Sequence, residues 1–176
     1  SSLLTHVLRT GGVDCTAFLG GIALDFESNY VEGNSDWVVA EADEYDRSFL
    51  QLQPRMAAIL SMDADHLEIY GDAGQMLEQG YLAFARLVHP EGKLFVRHDL
   101  LGYFDGFANV SGYGVGDGTY RSSIRGVENG KMVFDYQDPK GELKELKLSI
   151  PGRHNVENAT VVLAIARELG VEEEPI

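Results

Sequence analysis

Two almost uninterrupted apolar runs, Trp37-Val38-Val39-Ala40 and Ala57-Ala58-Ile59-Leu60-Ser61-Met62, constrain this chain more than any other feature. A strand that is apolar at successive positions has no face to offer water, so it belongs in a parallel sheet covered on both sides. Polar chemistry follows each run at once: Glu41-Ala42-Asp43-Glu44 after the first, Asp63-Ala64-Asp65-His66 after the second. In a parallel α/β sheet the carboxyl ends of the strands line the rim where ligands bind. Glu41 and His66, distant in sequence, are therefore expected to share that rim.

The other elements read around this frame. Ser1 to Arg9 has Leu4, Val7 and Leu8 at helical spacing, and Gly11-Gly12 stops it. Asp14 to Leu19 reads as a short strand, and Gly20 to Asn34 is loop-rich and ambiguous. Asp72-Ala73-Gly74-Gln75 has the form of a capping box, with a helix expected to about Val88. Pro90-Glu91-Gly92 is a turn before a third apolar strand, Leu94-Phe95-Val96. Gly112 to Gly118 is expected to be a flexible loop. It resembles a dinucleotide fingerprint, but strand-like residues follow it where a helix is required. From Tyr120 to Ile150, Glu128-Asn129-Gly130 and Asp138-Pro139-Lys140-Gly141 mark two hairpin turns. Asn155 to Leu169 is apolar nearly all round, so a largely buried helix is expected. The fold class is α/β, a mostly parallel sheet flanked by helices with a small antiparallel β subdomain.

Composition removes several classes of function. With 176 residues and 44% hydrophobic residues the chain can bury a substantial core. No apolar run approaches the roughly 20 residues of a membrane span. The net charge of −14 opposes binding to nucleic acid or anionic lipid. A single cysteine, Cys15, excludes an internal disulfide and suits a reducing compartment; it is expected in the core. The chain opens directly on a helix without an initiating Met, so a fragment of a longer polypeptide is expected.

The chemistry-bearing residues fall in three groups. A carboxylate such as Glu41 is a natural Mg²⁺ ligand. An imidazole such as His66 can join it directly, act through water, or select Mn²⁺. The plainer reading has Glu41 capping a helix and His66 bonding a neighbouring carboxylate. The third group, Gly152-Arg153-His154-Asn155-Val156-Glu157-Asn158-Ala159, opens the last helix. Asparagine offers a donor and an acceptor, as the adenine edge requires, yet it is also an ordinary helix cap. His6, His89 and His98 have no ligand spacing, and surface or structural roles are expected for them.

Taken together, Glu41 to Leu50, Asp65-His66-Leu67-Glu68-Ile69-Tyr70 and Gly152 to Ala159 resemble the central, P-loop NTPase-like ATP-binding domain of the Mur ligase family, in order and interval. The resemblance covers nearly the whole chain. It implies one domain over residues 1–176, beginning just after the family's Gly-x-x-Gly-Lys-Thr loop, with the N-terminal sugar-nucleotide domain and the C-terminal domain absent. It implies metal binding by Glu41 and His66, and adenine binding by Asn158 with His154 and Asn155. The cofactors implied are ATP and Mg²⁺ or Mn²⁺.

The reaction implied is ATP-dependent joining of L-alanine to UDP-N-acetylmuramate through an acyl phosphate, in bacterial cytoplasm, for peptidoglycan synthesis. No covalent nucleophile is implied, and the fragment alone is expected to be inactive without the phosphate loop. A recycling ligase that attaches a murein peptide to the same sugar stays open, as does a non-catalytic scaffold domain. Glu44-Tyr45-Asp46 fits the recycling branch, whereas Phe49 to Pro54 and Asp65 to Tyr70 favour the alanine branch. Two features depart from the family. Met62 stands where relatives often carry asparagine. No lysine lies between His66 and Lys93, so the carbamylated lysine of many members is not expected.

Overall fold

A computed structural model describes residues 1–45, 47–63 and 67–171. In chain order the elements are α1 (Ser2–Thr10), β1 (Thr16–Ala23), β2 (Ser28–Val31), β3 (Val38–Ala40), β4 (Met56–Ile59) and α2 (Leu67–Tyr70). Next come α3 (Ala73–Met76), a π-helical turn (Leu77–Tyr81), α4 (Leu82–Leu87), β5 (Lys93–Arg97) and β6 (Val110–Val115). The chain continues through β7 (Tyr120–Glu128), β8 (Lys131–Asp138), β9 (Gly141–Leu148) and α5 (Arg153–Glu168). Single 3-10 stretches, Ser48–Gln51 and His98–Phe104, precede β4 and follow β5. The contacts divide the chain into two compact units, residues 1–41 with the chain from Val162 onward, and residues 42–161.

In the smaller unit β1 lies between β2 and β3, antiparallel to the first and parallel to the second. Ala17, Leu19, Val31 and Val39 pack on Val7 and Leu8 of α1 and on Val162 and Ala166 of α5. Cys15 is fully buried in this core, as expected, and burial pushes its thiol up. Arg9 closes the end of α1: Nη1 donates to the Cys15 and Glu32 carbonyls at 2.9 and 3.0 Å, and Nη2 pairs with Asp14 at 2.8 Å. The stretch from Gly20 that the sequence left ambiguous holds a hairpin, because β1 runs on to Ala23 and β2 pairs back on it. Ile22 and Leu24 are 76% and 92% exposed, so no alternation of apolar and polar residues marked that hairpin in the sequence.

The larger unit is a six-stranded sheet in the order β4-β5-β6-β7-β8-β9. The first four strands are parallel and the last three pair antiparallel. The hairpins stand where their turn residues put them. Asn129 and Gly130 both take positive φ, 48° and 80°, as a primed turn between twisted strands requires. They continue the parallel sheet edge to edge. Asp72 is the N-cap of α3, accepting from the Gln75 N–H at 2.8 Å; the Gln75 side-chain amide donates to the same carboxylate at 2.9 Å, in place of the return bond of a full capping box. Leu94, Phe95 and Val96 are buried at three successive positions, the burial expected of a covered parallel strand.

Two expectations are overturned. The runs at β3 and β4 are not covered on both sides: only Val39 of β3 and Ala57 and Ile59 of β4 are buried, and Val38 and Leu60 are 57% and 44% exposed. Gly112 to Val115 is not a loop but the second half of β6, with Tyr113 1% exposed. Its glycines hid it, because glycine lacks strand propensity. Packing accounts for Gly112, where a Cβ would stand 2.6 Å from Leu101 and 3.1 Å from His98 in the 3-10 turn above. The refusal of a dinucleotide fingerprint here holds, since β7 and no helix follows.

Candidate functional site

Glu41 follows β3 directly, at a carboxyl strand end, and is exposed. It accepts hydrogen bonds from the Ser1 hydroxyl and from the Gly20 N–H at 3.1 Å. The Ser1 hydroxyl, and then the Gly20 N–H, hold its carboxyl below the usual range against some burial. Gly20 has to be glycine for this approach, because a Cβ there would come within 2.5 Å of the carboxylate. The result is a hard oxygen donor held ionised, which suits one ligand position on Mg²⁺. His66, with Asp65, lies outside the described residues. Among the described residues no three His, Cys, Asp or Glu side chains gather as a metal site. Met62 is half-buried and packs on the core around Phe49 and Ile59.

The last helix begins with strong local constraint. Gly152 takes φ +117°, and a Cβ on it would stand 2.8 Å from His154 Cε1. The Asn155 amide donates to the Pro151 carbonyl at 2.7 Å. His154 is exposed, and Asn155 and Asn158 are half-buried. The structure thus puts the three proposed adenine residues on the first turns of one helix. Val156, Ala159 and Thr160 behind them are buried. Thr160 donates to the Val156 carbonyl at 2.7 Å and meets the Ser122 hydroxyl of β7 at 2.7 Å.

Beside this helix start lies a cleft of about 310 Å³, lined by Arg97, His98, Asp99, Tyr113 to Val115, Asp117, Arg153 and Glu157. It sits at the carboxyl ends of β5 and β6, where a parallel sheet admits ligands. Arg97 grips Asp99 through two bonds of 2.7 and 2.9 Å and donates to the Leu60 carbonyl at 3.0 Å. This guanidinium holds Asp99 below the usual carboxylate range. Burial, and then the charge of Glu157, push the Tyr113 phenol up, so it stays neutral. Arg153 and Glu157 belong to the helix-opening motif read from the sequence, whereas Arg97, Asp99 and Tyr113 were not singled out there. The available signal was Arg97-His98-Asp99 at the end of the third apolar strand, the same placement that singled out Glu41 and His66. The other histidines are structural: His6 pairs with Asp25 at 3.2 Å, and His89 accepts from the Glu91 N–H at 3.2 Å.

Residues 21–166 match the family model of the Mur ligase middle domain. The chain belongs to the Mur ligase family. Over 172 residues, 97% of the chain, it is 46% identical to the UDP-N-acetylmuramate–L-alanine ligase of Christiangramia forsetii, of which it covers 36%. Among solved structures it resembles the UDP-N-acetylmuramate–alanine ligase of Thermotoga maritima, with TM-score 0.81, 29% identity, 99% of this chain and 39% of that one covered. It also resembles the Neisseria UDP-N-acetylmuramate:L-alanyl-γ-D-glutamyl-meso-diaminopimelate ligase, with TM-score 0.80, 27% identity, 97% of this chain and 57% of that one covered. The α/β fold class is that of the Mur ligases, and this chain spans little more than a third of the length of its alanine-ligase relatives. No helix among its described residues is long and apolar enough to cross a membrane.

Proposed function

We propose that this chain is the nucleotide-binding middle domain of a ligase that joins L-alanine to UDP-N-acetylmuramate at the expense of ATP, in the bacterial cytoplasm. The observation that carries the reading is the 46% identity to an L-alanine ligase over nearly the whole chain. In this reading the rest of the enzyme supplies the phosphate loop, the sugar-nucleotide domain and the C-terminal domain.

The lactyl carboxylate attacks the γ-phosphorus of ATP and releases ADP, which leaves an acyl phosphate. The amine of L-alanine then attacks the acyl carbon, loses a proton, and expels inorganic phosphate from the tetrahedral intermediate. Such chemistry needs alignment and charge neutralisation rather than a covalent nucleophile. Asn158 pairs with the adenine edge, and His154 and Asn155 line the same pocket. On the family resemblance Glu41 and His66 would hold Mg²⁺ or Mn²⁺, which would offset phosphate charge in a domain whose own net charge is −14.

The test uses the full-length enzyme with ATP, Mg²⁺ and UDP-N-acetylmuramate, following phosphate release with either L-alanine or L-Ala-γ-D-Glu-meso-diaminopimelate. Turnover with L-alanine supports the reading. Turnover with the peptide alone assigns the recycling ligase, the reading that the Neisseria structure keeps in view. Turnover with neither leaves a non-catalytic domain. The 176-residue chain by itself is expected to release no phosphate, and release abolished by His66→Ala would contradict that.

A further inference from the structure

Arg153 is the first residue of α5 and immediately precedes His154 and Asn155. Its Nη2 donates to the carbonyl of Val115, the last residue of β6, at 2.9 Å. One guanidinium thereby ties the opening turn of the helix to the rim of the parallel sheet. The other bonds of that first turn are local: Asn155 to the Pro151 carbonyl, and the Asn155 and Val156 N–H groups to the Gly152 carbonyl; the next tie to the sheet is Thr160 to Ser122, farther along the helix. Local bonds shape a turn without fixing its angle to the sheet. Gly152, at φ +117°, is a permissive joint at the point where that angle is set.

We infer that Arg153 is a positioning residue for the nucleotide: its bond to Val115 sets the orientation in which His154, Asn155 and Asn158 meet adenine. This rests on the functional reading above. A hydrogen bond from a charged donor is among the stronger ones in proteins, and a side chain placed even slightly off its productive geometry loses much of its effect.

The experiment compares full-length wild type, Arg153→Ala and Arg153→Lys by calorimetric titration with ADP and, separately, with UDP-N-acetylmuramate, alongside thermal melting and steady-state kinetics. Arg153→Ala is expected to weaken ADP binding and raise the KM for ATP by about tenfold, with sugar-nucleotide affinity and kcat held within about twofold. Arg153→Lys, which keeps a charged donor, is expected to recover most of the loss. Unchanged ADP affinity in Arg153→Ala overturns the assignment alone. So does an equal loss of both ligands with a fallen Tm, which would make Arg153 a general structural residue. A wild type that binds no ADP overturns the functional reading, and this assignment with it.

Discussion

At the scale of single residues, the hydroxyl pair behind the helix start gives a sharp stability test. Thr160 has one hydroxyl proton, and it goes to the Val156 carbonyl, so Ser122 is the donor in the contact between the two. Both side chains are fully buried. Ser122→Ala removes one donor and leaves Thr160 still bonded to its own helix, a loss of about 1 kcal/mol. Thr160→Ala strands the buried Ser122 hydroxyl and empties a methyl site, so about 2–3 kcal/mol is expected. Urea denaturation of the two variants measures the order, and equal losses would contradict the donor assignment. Nothing in the sequence marked this pair, because its meaning lies in the contact between β7 and α5.

At the scale of elements, the signals read correctly were local in origin. Asp72 caps α3 by accepting from the Gln75 N–H and side-chain amide, and Asn129-Gly130 turns between β7 and β8. Asp72→Ala should lower Tm by about 3 °C, whereas Asp72→Asn, which keeps the accepting oxygen, should leave it nearly unchanged. Thermal melts followed by circular dichroism distinguish the two, and equal shifts would show that charge rather than capping matters there. The element missed, the Gly112 to Val115 part of β6, shows the limit of local signals. Gly112 makes room for Leu101 and His98 lying against it, a contact that no short window of sequence contains. The hairpin of β1 and β2 was missed for the opposite reason, since little of it is buried and so little of it is patterned.

At the scale of the whole molecule, the charge distribution predicts the response to acid. Asp14, Glu41, Asp72, Asp99 and Asp135 are all held below their ordinary range, mainly by hydrogen bonds to Asn34, Ser1, Gln75, Arg97 and Arg125 respectively. A carboxyl whose folded pKa is depressed contributes stability above its unfolded value, about 3.9 for Asp and 4.3 for Glu, and loses it as pH falls through the folded value. Tm should therefore be nearly flat from pH 7 to about 5 and fall below about pH 4.5. Relief of repulsion from the −14 charge acts the other way on acidification, but it is spread over the surface and screened at about 0.15 M salt. A Tm that rises or stays level down to pH 3 would show that repulsion dominates.

By itself the sequence determined the α/β class, the covered strand β5, the helix caps, the hairpin turns and the family, but not that β3 and β4 bury only alternate residues. Each of these is written in residues adjacent along the chain, where apolar runs, turn dipeptides and motif strings act over a few positions. Only the tertiary structure decided that Arg97, Asp99, Tyr113, Arg153 and Glu157 enclose one cleft, and that the last helix is tied to the sheet through Val115. Parallel pairing brings strand ends together across long stretches of chain, and the free energy that selects those partners belongs to the packed sheet as a whole.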